Sequence, residues 1–519
     1  MDNVVEQTTH RLGEQIYFLR AFMVFMTIHF LFNFLGSPMT LYSGAVLAIV
    51  SFLAVIFLRW DQAFFIVILY SLVAGQIKVI WGYNPFFRLI SDFQIVILVF
   101  RSFAKTGRII NFHRTPNFFI WMLLGHFLWF VVCLFNPLGA GFIPSFAAGK
   151  FYILPIFYFF TILNFELDPT SRLFKDFLKT FMFFIVLEAL LAIFQSTQGT
   201  EFMYSISNNY ATLFEKYKNF SSVQHFRPWG TTDQPGGYAS HFYLSSAFIF
   251  LWSVQPGGDE AQKLSTPKKL FIFSFTVLSL FAVLISQVRS SFFKEIFVIS
   301  IGLFFSILGT RFVAKRIIGI AVGIAAFVIL GAYGLSQSKG LSEYMTVEKV
   351  VARYEAVNSL DKAASRRASF SAGLGAIGRR LENPLGLGLG MATNYLEAYG
   401  QRRKESVDVD QNLYWTMDNF FAHVATEMGL GSLFIISTVI VTPFILASLM
   451  ITALRRKNFM VYRIVCYCFV MVTATTLGQW GAIGILFPPE FQFYWLYLAI
   501  AFTSFYKAYP KKITLQQNA

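Results

Sequence analysis

Apolar runs of roughly 17 to 25 residues follow one another along the chain, and few architectures accept such a pattern. Coiled into a helix, a run of that length crosses the ~30 Å hydrocarbon core of a bilayer, where only helices and closed barrels satisfy their own backbone hydrogen bonds. The runs fall near 17–36, 41–59, 62–81, 87–103, 117–135, 147–165, 174–196, 238–254, 268–287, 290–309, 314–335, 424–452, 460–480 and 486–507. The fourth is the weakest, with Arg88 and Asp92 in its first half. Of 519 residues, 56% are hydrophobic and 13% charged, against about a quarter charged in a soluble chain, so most of the surface faces lipid. The length would accommodate about three soluble domains. The pattern instead predicts an all-α, polytopic integral membrane protein of about 12 to 14 transmembrane helices.

A net charge of +15 raises nucleic acid as a partner, but the lysines and arginines lie in short clusters between apolar runs, and no nucleic-acid binding is expected. Those clusters orient the chain. Arg101, Lys105, Arg108, His113 and Arg114 are assigned to the cytoplasm by their charge. Lys268 and Lys269, then Arg311 with Lys315 and Arg316, Arg455 to Lys457, and Lys507 with Lys511 and Lys512 fall on the same side by alternation, which makes both termini cytoplasmic. The polar stretch from Met1 to Gln15 carries no small-x-small cleavage site, so the first span is expected to act as an uncleaved anchor. Cys133, Cys466 and Cys468 sit inside apolar runs and imply no disulfide framework. The expected organisation is N-terminal transmembrane helices over 1–196, a first outer loop over 197–237 and central helices over 238–335. A large outer loop over 336–417 and C-terminal helices with a short tail over 418–519 complete it. Within the large loop, Thr346 to Val357 and Ser365 to Glu382 carry apolar residues at helical spacing with basic residues between them, as in helices lying on a membrane surface or forming a solvated cap.

Four outer segments combine residues that bear chemistry. Arg227 to Ala239 (RPWGTTDQPGGYA) is a tight, irregular stretch in which Arg227 either snorkels to lipid headgroups or offers its planar fork to a phosphate. Ser286 to Lys294 (SQVRSSFFK) is a short outer turn whose Arg289 and Lys294 run against the positive-inside bias. Asn383 to Gly390 (NPLGLGLG), preceded by Arg366 and Arg367, has alternating glycines that let backbone approach a partner closely, although a lone glycine run reads equally well as a flexible loop. Asp418 to Phe434 (DNFFAHVATEMGLGSLF) re-enters the membrane. If helical from its start, it sets Asn419, His423 and Glu427 four apart on one stripe and Asp418 on another. A plain alternative for His423 is an interfacial histidine hydrogen-bonded to Glu427.

Together these segments resemble the O-antigen ligase and polymerase superfamily of bacterial membrane glycosyltransferases. Its members show an arginine, then Gly-Thr and a proline before a span. A Ser-x-Arg-like turn, a large outer loop with an arginine and a Pro-x-Gly-x-Gly-like element, and a span with Glu-x-Gly-x-x-Gly follow. The counterparts here are Arg227, Gly230, Thr231 and Pro235; Ser286 and Arg289; Arg366 or Arg367 with Pro384, Gly386 and Gly388; and Asn419, Glu427 and Gly429. Order and approximate spacing agree from about Arg227 to Phe434, whereas the first 200 residues share only hydropathy. The last glycine of the pattern comes one position early, at Gly431, with Ser432 in its place. Asp418 also stands where ligase-like members carry a histidine, which tilts the reading from a lipid A-core ligase to a polymerase of exopolysaccharide, capsule or O-antigen units.

The resemblance implies a C-type glycosyltransferase-like fold with a large helical periplasmic loop, in the bacterial inner membrane. It further implies metal-independent and cofactor-free glycosyl transfer from an undecaprenyl-diphosphate-linked oligosaccharide donor to the hydroxyl of an acceptor. Arg289 and Arg227, with Arg366 or Arg367, would stabilise the departing diphosphate, each well-aimed donor contributing about 3 kcal/mol. Asp418 is the first candidate for general base, with His423 and Glu382 as alternatives. Asn419 and Glu427 would contact the diphosphate or the sugar. No spacing of Asp, Glu, His and Cys suggests a metal site. Membrane lipid and other polysaccharide assembly proteins complete the expected partners. An O-antigen ligase or a protein O-oligosaccharyltransferase of the same superfamily differs in its acceptor alone. A flippase or exporter would spread polar residues along several spans with internal duplication, and no clear repeat is visible. Lys78, His126 and Glu188 interrupt apolar runs and require buried partners that the sequence does not name.

Overall fold

The computed structural model describes residues 19–139, 141–213, 227–234, 236–254, 266–286, 288–308, 384–390, 420–479 and 489–510. Among these, every regular element is helical: α1 (Leu19–Phe34), α2 (Met39–Phe57), α3 (Trp60–Ile80), α4 (Pro85–Thr106), α5 (Asn117–Leu134), α6 (Phe142–Phe165), α7 (Arg172–Ile206), α8 (Ala239–Ser253), α9 (Thr266–Ile285), α10 (Arg289–Leu308), α11 (Phe420–Met428), α12 (Ser432–Arg455), α13 (Phe459–Gly478) and α14 (Glu490–Ala508). A helix occupies each expected span except 314–335, which lies outside the described residues together with 346–357 and 365–382. Among the described residues seven stretches, namely α2, α3, α5, α6, α7, α13 and the joined Phe420–Arg455, are long and apolar enough to cross a membrane, and the chain is a multi-pass membrane protein.

Local chemistry sets the helix ends. Asn84 caps α4 by accepting the Phe86 N–H at 2.9 Å, Pro85 fills the first helical position, and Gly107 closes the helix in the left-handed region. The weakest expected span is thus a well-capped helix of 22 residues. Helix α7 runs past the expected boundary at 196 to Ile206, broken locally at Gly199, whose φ of 74° and ψ of −157° only glycine adopts readily. The expected span 424–452 is interrupted: α11 stops at Met428, a 3₁₀ turn covers Gly429–Gly431, and α12 starts anew.

Helices α3, α8 and α14 form the centre, enclosed by α2, α4, α6, α5, α12, α13, α10, α9 and α7. Phe248 of α8 illustrates the core, meeting Phe174, Phe177 and Phe181 of α7 and Phe493 and Tyr497 of α14. The basic loops gather at one end. There Arg101 donates to the Val55 and Leu58 carbonyls, Arg114 pairs with Glu166 at 2.8 Å and Lys507 with Asp168 at 2.7 Å, and Arg456 lies over Tyr509. The four segments singled out in the sequence lie toward the other end, so far as the described residues cover them.

Candidate functional site

The segment at 227–237 folds into the bundle instead of standing outside it. Trp229, Gly230 and Thr231 are buried. Gln195 Oε1 accepts the N–H groups of Trp229 and Gly230 at 2.9 and 2.8 Å, and the Gln76 N–H donates to the Thr231 carbonyl at 2.9 Å. Glu188 anchors the centre: its carboxylate accepts from the Thr231 N–H at 3.3 Å and from His241 Nδ1 at 2.8 to 2.9 Å. Thr231 Oγ1 lies 2.6 Å from both Glu188 Oε1 and the Leu72 carbonyl and has one proton to give. Glu188, unexplained in the sequence, therefore ties α7 and α8 to the loop, and Thr231 carries the contact on to α3. Beneath it, His29 bridges Ser43 and Gln76, and Gln76 reaches Asn33. His126 contacts the Tyr152 carbonyl at 3.3 Å, whereas Lys78 is partly buried.

Arg227 is partly buried at the edge of this loop, and burial pulls its pKa below the ordinary guanidinium value. Gly236, at φ +74°, brings the loop against the second segment, where an added Cβ would lie 2.7 Å from the Ser286 carbonyl. Ser286 shapes that turn, its hydroxyl donating to Val283 and accepting the Val288 N–H. Arg289 is the first residue of α10, and only its backbone is described. One turn on, Lys294 is buried. Its Nζ lies 3.2 Å from the Tyr243 hydroxyl and 3.6 Å from Glu490 Oε1, and an added Cβ on Gly478 would come within 2.0 Å of its Cε.

The third and fourth segments meet through backbone. Leu387 and Gly388 donate to the Thr426 and Glu427 carbonyls at 2.8 and 3.2 Å, and Leu430 donates back to the Pro384 carbonyl at 2.8 Å. Asn136, at the end of α5, donates to the Leu385 and Gly386 carbonyls at 3.1 and 3.0 Å, while Trp129 Nε1 donates to Met428 at 2.9 Å. Gly386 and Gly429 both have positive φ, and an added Cβ would approach the Glu427 and Pro384 carbonyls to 2.6 and 2.2 Å. The alternating glycines therefore serve a docked strap, which corrects the reading of a flexible loop.

Inside this strap, Tyr152 of α6 donates to Glu427 Oε2 at 2.7 Å, and His423 Nε2 lies 3.7 Å from Glu427 Oε1. His423 is 1% exposed, and among the described residues its Nδ1 has no hydrogen-bond partner. The N-terminus of α11 joins this pair of segments to the other one: Phe420 donates to the Gln479 carbonyl at 3.0 Å, one residue from the glycine that packs on Lys294. Of the expected site residues, Arg227, His423 and Glu427 are placed with their side chains. Arg366, Arg367, Glu382, Asp418 and Asn419 lie outside the described residues.

Sequence reasoning missed Tyr152, Asn136, Trp129 and Glu490. Each sits in or beside an apolar run where nothing marks it locally, except that Asn136 precedes a proline. The arrangement offers a carboxylate and an imidazole one helical turn apart, able to hold and pass a proton, beside cationic turns suited to an anionic group. Among the described residues, no three His, Cys, Asp or Glu side chains come together as metal ligands would. Comparison with protein-family models and with curated proteins found no match.

Proposed function

We propose that this chain is a membrane glycosyltransferase of the O-antigen ligase and polymerase type. It joins undecaprenyl-diphosphate-linked oligosaccharide repeat units at the periplasmic face of the bacterial inner membrane. The observation that supports this reading is the convergence of the four segments carrying the resemblance. They come from sequence positions up to 200 residues apart and meet in two contacting pairs, Gly236 with Ser286 and Gly386 with Glu427. In the reaction an acceptor hydroxyl attacks the anomeric carbon, and the diphosphate departs with the bonding pair. Arg289 and Arg227, with Arg366 or Arg367 of the large loop, stabilise the charge on the departing group. The acceptor proton passes to Asp418 or to His423, whose Nδ1 has no partner among the described residues and whose Nε2 faces Glu427.

The test is polymer length on a gel from cells that lack the native gene and carry Arg289→Ala, with protein level and membrane insertion measured in parallel. Single lipid-linked repeats from well-inserted variant, against a ladder from the native chain, are expected. An unchanged ladder removes Arg289 from the chemistry. A second reading, a lipid-linked oligosaccharide exporter, draws on Glu295, an acid buried within α10 that accepts from Ser246 and Ser279 at 2.6 and 2.5 Å and leaves Oε2 without a partner among the described residues. It predicts repeats stranded on the cytoplasmic leaflet when the gene is absent.

A further inference from the structure

His126 interrupts the apolar run of α5 and is fully buried, a costly place for an imidazole. Its Nε2 lies 3.3 Å from the Tyr152 carbonyl, which can only accept, so that nitrogen carries the proton and donates it. The two rings stand side by side, their centroids 6.3 Å apart. Helix α6 offers this carbonyl at a weakened turn, because Pro155, three residues on, has no N–H for the Phe151 carbonyl and its ring crowds that turn. Gly149 lets α5 come this close, since a Cβ there would run into the Phe130 ring.

The same face of α5 grips the rest of the site. Trp129, three residues on, donates to the Met428 carbonyl where α11 breaks, and Asn136, just past the helix end, donates to the Leu385 and Gly386 carbonyls of the strap. His126 differs from these two in holding the residue that itself touches the carboxylate, for the Tyr152 hydroxyl donates to Glu427 Oε2 at 2.7 Å. We propose that His126 is a positioning residue of the candidate site, acting on Glu427 through Tyr152. The carbonyl that His126 fixes and the ring that reaches Glu427 belong to one residue, so this hydrogen bond sets the peptide plane from which the ring projects. A functional constellation must be held to within about 0.5 Å and 10 to 20°. A turn opened by proline lacks one of its own bonds for that purpose, and His126 supplies one from the neighbouring helix. Its effect on activity rests on the glycosyl transfer proposed above, whereas the positioning itself does not.

The experiment introduces fluorotyrosine in place of Tyr152 in the full chain, follows its fluorine resonance in detergent, and measures polymer yield in cells that lack the native gene. His126→Phe, which fills the space and removes the donor, is expected to move the resonance in the direction seen with Glu427→Gln and to lower yield about tenfold. His126→Gln, whose amide N–H replaces Nε2–H, should bring both back near native values. In a Tyr152→Phe background, His126→Phe should lower yield no further, because the two residues act along one line. His126→Met, with its adaptable side chain, takes the place of His126→Phe should that variant fail to insert. A native resonance in an inserted variant without the donor overturns the proposal, and so do yield losses that multiply in the double variant. A moved resonance with native yield upholds the positioning and removes Glu427 from the reaction instead.

Discussion

Glu188 and Glu427 are both carboxylates sealed inside an apolar bundle, yet their surroundings differ in kind. Glu188 is wrapped by a backbone N–H, a hydroxyl and His241, all contributed by elements that it ties together. Such a node is architecture, because each donor is spent on holding the loop at 227–237 against α3, α7 and α8. Glu427 is gripped by Tyr152 from the side, while His423 stands at 3.7 Å with its other nitrogen unpartnered among the described residues. A buried imidazole nitrogen without a partner is costly in a finished fold. His126 Nδ1 is buried in the same way, so it is the proposed reaction, with His423 beside Glu427, that makes the node around Glu427 the candidate site and the one around Glu188 its frame.

Removing Glu188 should separate the two most sharply. Glu188→Ala leaves His241 and the Thr231 N–H without their common acceptor and opens a cavity, each unsatisfied buried group costing about 1 to 3 kcal/mol. The expected outcome is a large fall in the midpoint of thermal unfolding in detergent, with loss of protein from the membrane fraction. Glu427→Gln, which keeps shape and an acceptor for Tyr152, should insert and unfold much like the native chain while the polymer ladder disappears. Equal destabilisation by the two variants would erase the distinction.

The strap allows a second test, now of packing around Glu427. An added Cβ on Gly431 would lie 1.7 Å from the Trp129 ring, and one on Gly429 would meet the Pro384 carbonyl at 2.2 Å with φ at +55°. Gly429→Ala and Gly431→Ala should each cost about 1 to 3 kcal/mol through overpacking, with the strap at Pro384–Gly390 becoming open to protease. If neither variant loosens the strap, backbone docking is not what shapes the site.

How much of this the sequence carried depends on the range of the interactions. Helices are legible because an apolar run reports its own burial, so even α4, with its charges, lies where expected. The pairing of His423 with Glu427 is legible too, as an i, i+4 spacing within one helix. Tyr152, Asn136 and Trp129 were not, because their partners lie between 249 and 299 residues away and a single polar residue in an apolar run has no local signature. Glu188 was noticed as an anomaly, but naming His241 required the fold. The glycine alternation at 386, 388 and 390 was visible, while its meaning rested on the backbone of α11, which no pattern within the segment reveals.

A smaller effect refines the account of Glu427. Tyr152→Phe removes one hydroxyl and keeps the ring, so stability should fall by about 1 kcal/mol, the usual net value of such a hydrogen bond. Activity should fall further than that, because the carboxylate loses its fixed orientation towards His423. The check is polymer yield against thermal midpoint in the same preparation; proportionate losses would mean that Tyr152 supports the fold alone.

The smallest effect calibrates both nodes from the opposite end of the bundle, where Asp168 meets Lys507 at 2.7 Å in a half-open setting. Burial alone would raise the Asp168 pKa, but hydrogen bonds from Lys507 and from Thr170 outweigh it and hold the carboxyl below its ordinary value. A carboxyl whose folded pKa is depressed adds stability above its unfolded pKa, and that stability is lost as pH falls through the lowered value. Asp168→Asn should therefore cost less than about 1 kcal/mol at neutral pH, and its difference from the native chain should shrink as pH drops below about 4. Unfolding midpoints of the two proteins measured across that range settle it. A loss approaching that of Glu188→Ala would mean that burial does not rank the ion pairs of this protein.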